Sequence, residues 1–170
     1  QAAGITLVEE TQKNPGKATT YGVGEMIRDA VSRGCRKFII GIGGSATNDG
    51  GIGMLRALGV KFLTKDGEEA GEGADALGKI HFVSLEHLMP ELKECDFQIA
   101  CDVTNPLCGE KGATYIYGKQ KGIREESRIF LRLLHERNTR GLRHLHNRCL
   151  FIRKDSVVSL HPFSHRSRHR

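Results

Sequence analysis

Residues 37–42 carry Phe38, Ile39 and Ile40 in a nearly continuous apolar run that leads directly into Gly41-Ile42-Gly43-Gly44-Ser45-Ala46-Thr47-Asn48-Asp49-Gly50-Gly51. A run of this kind suits a strand covered on both faces, as in a parallel sheet. Apolar residues resume at once at helical spacing, with Ile52, Met54, Leu55, Ala57 and Leu58, and Gly59 marks the stop. Strand, Gly-rich crossing and helix in that order predict an α/β fold on a parallel sheet.

The flanking segments agree with that rhythm. Val23, Met26, Ile27, Ala30 and Val31 recur at i, i+3, i+4, i+7 and i+8 and predict a helix with those residues on its buried face. Thr19 or Thr20 can cap its start, and Gly34 stands where a left-handed residue ends a helix. Residues 2–8 form a short apolar patch before a turn at Asn14-Pro15-Gly16. Residues 60–63 read as a strand turned by Lys65-Asp66-Gly67. The Gly- and Ala-rich residues 68–79 read as a surface loop, and residues 87–94 as a short helix limited by Pro90. Phe97, Ile99 and Cys101 alternate as a strand that ends at Asp102.

The Gly-rich crossing is the densest chemical signal. Ligands of open α/β sheets bind beyond the carboxyl ends of the strands, where such loops sit. Glycines let the main chain approach an anion, which free N–H groups and the start of the next helix would favour. Ser45 and Thr47 add hydroxyls, Asn48 can donate or accept, and Asp49 could bind Mg²⁺ or take a proton from a hydroxyl. The same residues also fit a tight strand–helix turn with Asp49 as the helix cap. There is no G-x-x-x-x-G-K-[ST], so a P-loop is excluded. Gly41-x-Gly43-x-x-Ala46 is only a degenerate dinucleotide fingerprint, and Asp66, near the required distance, falls in a turn.

Two further clusters bear on the same end of the sheet. Cys101-Asp102-Val103-Thr104-Asn105-Pro106-Leu107 places a carboxylate at the end of a strand, where it can point into a cleft or cap the turn. Tyr117-Gly118-Lys119-Gln120-Lys121-Gly122 offers lysines that could clamp an anion or form a solvated basic turn. Cys95, Cys101 and Cys108 make no C-x-x-C pair, which argues for bystander thiols over zinc. His81 and His87 have no partner at metal-ligand spacing and read as surface or helix-end residues.

Residue usage changes abruptly after Gly122. Residues 1–122 hold 14 Lys+Arg against 16 Asp+Glu, and residues 123–170 hold 12 against 4, so the net charge of +6 comes from the tail. The tail has Lys154 beside eleven Arg, six of the eight His, and Gly141 alone of the 21 Gly. A disordered basic extension would mix Lys with Arg and carry disorder-promoting residues. The change points to a shifted reading frame and a tail without a native fold; the rival reading is an Arg/His-rich appendage that contacts nucleic-acid phosphates non-specifically. An odd cysteine count, no signal-peptide pattern and no apolar run near ~20 residues predict a cytoplasmic chain that does not enter a membrane. Gln1 in place of an initiator Met suggests that an N-terminal part is missing.

In order and spacing, Gly43-Gly44-Ser45-Ala46-Thr47-Asn48-Asp49-Gly50-Gly51, Cys101-Asp102-Val103-Thr104-Asn105-Pro106-Leu107, and Gly118 with Gln120-Lys121-Gly122 resemble the bacterial-type glycerate kinases. Ala2-Ala3-Gly4-Ile5 through Val8 is similar to that family's A-[AS]-G-[LI]-x-L-V, and Thr19-Thr20-Tyr21-Gly22 to its T-[TS]-[YF]-G. Lys119 stands where the family often has proline, and the likeness ends at Gly122, where composition also breaks. The resemblance implies a Rossmann-like parallel-sheet portion of a two-domain kinase that phosphorylates D-glycerate with ATP and Mg²⁺. From chemistry, the main chain of Gly43 and Gly44 with Ser45 and Thr47 would cradle phosphate or the glycerate carboxylate. Asn48 would assist them. Asp49 would be base or metal-orienting carboxylate, Asp102 a second such carboxylate, and Lys121 an electrostatic clamp. Residues 1–122 would then be a partial kinase region, truncated and inactive by itself.

Overall fold

The computed structural model describes residues 2–101, 105–106, 109–123 and, as backbone, 157–159. In chain order these form helix α1 (Tyr21–Ser32), strand β1 (Lys37–Gly41), helix α2 (Ile52–Ala57), strands β2 (Lys61–Leu63), β3 (Phe82–Ser84) and β4 (Asp96–Cys101), helix α3 (Ala113–Tyr117) and strand β5 (Val157–Ser159). Sheet order is β1-β4-β5, with both pairings parallel, while β2 and β3 form a separate antiparallel pair. The expected α/β class with a parallel sheet is what the chain adopts. β5 falls in the basic tail, to which the sequence assigned no fold.

β1 and β4 are in register from Lys37↔Asp96 to Gly41↔Ala100. Phe38 and Phe97, opposite each other, stack with ring centroids 4.9 Å apart and planes 15° apart. An offset pair of this kind adds to area burial. Phe38 and Ile40 face the core with Phe97, Leu55, Leu58 and Leu92. The expectation that β1 is covered on both faces needs correction: Ile39 is 76% exposed. The core of the described residues forms on one side of this strand, so an unbroken apolar run did not mean two covered faces.

The buried face of α1 is also shifted from the one expected. Gly24, Ile27 and Val31 are buried, whereas Met26 is 59% exposed. The cause is a close helix–helix approach. A Cβ at Gly24 would run into the main-chain oxygen of Met54 and come within 2.6 Å of Ala57 Cβ, so α1 meets α2 through its glycine and Met26 turns outward. Gly34, at φ +91, ends α1 as expected. Gly24→Val should therefore lower stability by about 1–3 kcal/mol through overpacking, read as a lower urea midpoint. An unchanged midpoint would show that the helices can separate freely there.

Residues 68–79 are a surface loop only in part: Glu68, Glu69, Gly71 and Glu72 are exposed, while much of the rest packs inward. Ala70 is 3% exposed, and a 3-10 helix at Ala74–Lys79 buries Ala74, Ala76 and Leu77 at 2% or less. Small side chains there permit close packing, and Gly and Ala content by itself does not distinguish that from a solvated turn. The Lys65-Asp66-Gly67 turn does form, with Thr64 N–H on Glu68 O at 2.8 Å and Gly67 N–H on Thr64 O at 3.1 Å. The strand partner of β2, however, is β3. Nothing in the sequence marked β3, because Phe82 and Val83 are both exposed and give no alternation. Pro90–Glu94 is a 3-10 helix with proline in its first turn. No helix of the described residues is long and apolar enough to cross a membrane.

Candidate functional site

Because β1 and β4 are parallel neighbours, their carboxyl ends lie side by side. The chain leaves β1 through Ile42, whose N–H points to Ala100 O at 3.4 Å, and then bends at Gly43 and Gly44, both exposed. Gly44 has φ +67, and a Cβ at either glycine would meet no atom within 4 Å. At Gly43, then, neither backbone conformation nor packing among the described residues calls for glycine. The bend keeps an open approach to its main chain. The amides of Gly43 and Gly44 donate to no acceptor among the described residues.

The N-terminal segment straps this bend from outside. Gly4 and Ser45 form an antiparallel bridge, with Ile5 N–H on Gly44 O and Ala46 N–H on Ala3 O, each at 2.8 Å. The apolar patch at residues 2–8 thus holds the bend through its main chain.

Past Ser45 the chain turns inward. Ala46, Thr47, Asn48 and Asp49 are all buried, Asp49 to 1% exposure. Asp49 Oδ2 accepts from Thr20 N–H at 2.8 Å, the Thr20 hydroxyl at 2.8 Å and Gly53 N–H at 3.2 Å, and Oδ1 accepts from Gly51 N–H at 3.1 Å. The Thr20 hydroxyl in turn accepts from Met54 N–H at 2.9 Å. One carboxylate therefore ties the start of α1 to the start of α2. An ionised carboxylate with this many charge-assisted bonds is held strongly.

Two expectations change in consequence. Thr20 does not cap its own helix: its hydroxyl serves Asp49 and α2, and Thr19 Oγ1 accepts Tyr21 N–H at 3.2 Å. Nor is the start of α2 open to an anion. The helix has only 6 residues, and the N–H groups of Gly51, Gly53 and Met54 are engaged by Asp49 and Thr20. The open main-chain donors lie upstream, at Gly43 and Gly44.

Lys121 comes to the bend from the turn after α3. Its Nζ donates to Ser45 Oγ at 2.9 Å and to Thr47 O at 2.7 Å. Burial pushes its pKa below the ordinary lysine value, an effect that the nearby Asp49 carboxylate partly offsets. Asn48 faces α3, where its Oδ1 accepts from the Thr114 hydroxyl at 3.3 Å, and its buried Nδ2 has no partner among the described residues. Asn105 accepts from Tyr117 OH at 2.7 Å and donates to Lys111 O at 3.0 Å, which ties it to α3 and the turn before it.

Of the residues singled out in the sequence, the structure brings Gly43, Gly44, Ser45 and Lys121 together. Thr47 contributes its carbonyl to Lys121, Asn48 is buried against Thr114, and Asp49 lies beneath the bend with both oxygens engaged by protein donors. Asp102 lies outside the described residues. Among the described residues no three His, Cys, Asp or Glu side chains are grouped so as to hold a metal ion. The contribution of Thr20 was missed. A Thr-Thr pair before a helix reads as a local cap, and no spacing rule shows that its hydroxyl will be taken by a residue 29 positions away.

A family profile described as "Glycerate kinase family" matches residues 1–143, running past Gly122, where the sequence reading ended the likeness. The glycerate kinase of Halalkalibacterium halodurans is 46% identical over 122 residues, covering 72% of this chain and 32% of that protein. The glycerate 2-kinase of Escherichia coli is 47% identical over 124 residues, covering 73% and 32%. The crystal structure of a candidate glycerate kinase 2 from Salmonella typhimurium LT2 superposes with a TM-score of 0.78 at 40% identity, covering 81% of this chain and 37% of that one. The chain spans about a third of the length of the curated relatives it matches.

Proposed function

The chain belongs to the glycerate kinase family, and from that premise we propose that the protein transfers a phosphoryl group from ATP to D-glycerate, giving phosphoglycerate and ADP. The observation that best supports a direct part in this reaction for the described residues is the Lys121 ammonium bonded to Ser45 and Thr47, the residues that follow the open Gly43-Gly44 bend in the chain. Phosphoryl transfer depends mostly on holding groups in line and neutralising charge. Lys121, the Ser45 hydroxyl and the two free amides can do both for an anionic group of a substrate.

The roles differ from those the sequence suggested for Asp49. A carboxylate at 1% exposure with four protein hydrogen bonds is a positioning group: it sets the pitch between bend and helix on which Ser45 and Thr47 depend. Asn48 likewise anchors the bend to α3. Kinases of this kind use a divalent cation to neutralise phosphate oxygens, which one or two carboxylates can hold together with the phosphates themselves; of the two carboxylates proposed for it, Asp49 has both oxygens on protein donors. Asp102, the residue that follows β4 in the chain, remains proposed as a second base or metal-orienting carboxylate. A cytoplasmic setting is proposed on the same basis as the metabolic role. The rival nucleic-acid reading falls on tail residues outside those described, and no observation favours it.

A coupled ADP-release assay with D-glycerate and MgATP tests this. These 170 residues, about a third of a relative's length, should turn over far more slowly than a full-length relative. A full-length family enzyme carrying this segment should release ADP only when D-glycerate is present. ADP release that ignores D-glycerate would remove the assignment.

A further inference from the structure

We propose that the seat formed by the Gly43 and Gly44 amides, the Ser45 hydroxyl and Lys121 receives the carboxylate of the hydroxy-acid substrate, and not the phosphates of the nucleotide. The inference rests on the kinase reading above and assigns one of its two substrates to this place.

Three observations point this way. The first is charge. Among the described residues Lys121 is the one ammonium bonded to the bend, and the Asp49 carboxylate lies close enough to act on it, so the formal charges of the two cancel. A seat of about zero net charge does not concentrate a polyanion, whereas one added carboxylate makes a small and balanced demand on it.

The second is donor count. Lys121 has three N–H groups, and two of them are given to Ser45 Oγ and Thr47 O. The remaining N–H, the Ser45 O–H and the amides of Gly43 and Gly44 make four donors, which suit the two oxygens of a carboxylate. A diphosphate or triphosphate presents many more oxygens than these donors can meet.

The third is the helix. Phosphate-binding crossings of α/β sheets direct the amides at the start of the following helix toward the phosphates. Here the amides of Gly51, Gly53 and Met54 are held by Asp49 and Thr20, which withdraws those donors from any ligand. What stays open is the upstream pair of glycines, where no atom lies within 4 Å of the space a side chain would take.

The test uses the 170-residue chain labelled with ¹⁵N, titrated separately with D-glycerate, glycerol, pyrophosphate and ADP while the Gly43 and Gly44 amide resonances are followed. D-glycerate should move both, and glycerol, which has the hydroxyls without the carboxylate, should move neither. Pyrophosphate and ADP should leave them in place. Lys121→Met should weaken the D-glycerate response at least about tenfold, as loss of a charge-assisted contact requires. Shifts caused by ADP or pyrophosphate but not by D-glycerate would overturn the inference while leaving the kinase reading intact. Equal shifts with glycerol would overturn it by showing that the carboxylate is not what is recognised. No shift with any of the four would overturn it as well, and the kinase reading would then stand or fall on the turnover assay alone.

Discussion

Asp49→Ala should destabilise the fold by about 3–5 kcal/mol, the range for removing one side of a buried, charge-assisted network. The substitution would leave the N–H groups of Thr20, Gly51 and Gly53 and the Thr20 hydroxyl without their acceptor, in a place that is 1% exposed. Asp49→Asn keeps one acceptor oxygen and should cost less, about 1–3 kcal/mol. Urea denaturation measures both, and a loss below about 1 kcal/mol for the alanine variant would end the positioning role. The asparagine variant also separates positioning from chemistry. An unchanged urea midpoint together with a loss of turnover of about 10²–10⁴ in a full-length enzyme would return to Asp49 the role of general base.

The second large effect is expected at Lys121. In a full-length enzyme carrying this segment, Lys121→Met should lower turnover by about 10²–10³, the usual effect of removing one preorganised donor to a reacting or anchoring anion. On the proposed carboxylate seat the ammonium form would do the binding, so affinity for D-glycerate should fall as pH rises through the pKa of Lys121 in the folded protein. Burial holds that pKa below the ordinary lysine value, and Asp49 draws it part of the way back. The fall should therefore begin at a lower pH than it would for an exposed lysine. A pH profile of KM for D-glycerate, compared with that for ATP, checks this. A fall confined to the ATP profile would place Lys121 on the nucleotide.

The elements that were legible in the sequence are those whose cause is local. β1, α1, α2 and β4 follow from apolar spacing and from Gly34 as a stop, and the bend follows from a density of glycine that few other structures need. Elements whose cause lies elsewhere were not legible. β3 exists because β2 pairs with it, and Ala74, Ala76 and Leu77 are buried because their helix packs them into the core formed by distant segments. Met26 was placed on the wrong face because the axis of α1 is set by Gly24 pressing on Met54, a contact between residues thirty positions apart.

By itself, the order of residues determined the class of fold, the place of the Gly-rich bend and the family, since glycine content, apolar period and motif spacing are properties of short stretches. Only the tertiary structure decided what each polar group of the bend is engaged in. Whether Asp49 faces a ligand or the main chain of two helices depends on where Thr20 lies in space, and whether Lys121 is a surface charge or a partner of Ser45 depends on how α3 packs against the bend. A hydrogen-bonding group has few bonds to give, and which neighbours take them is settled when distant segments meet.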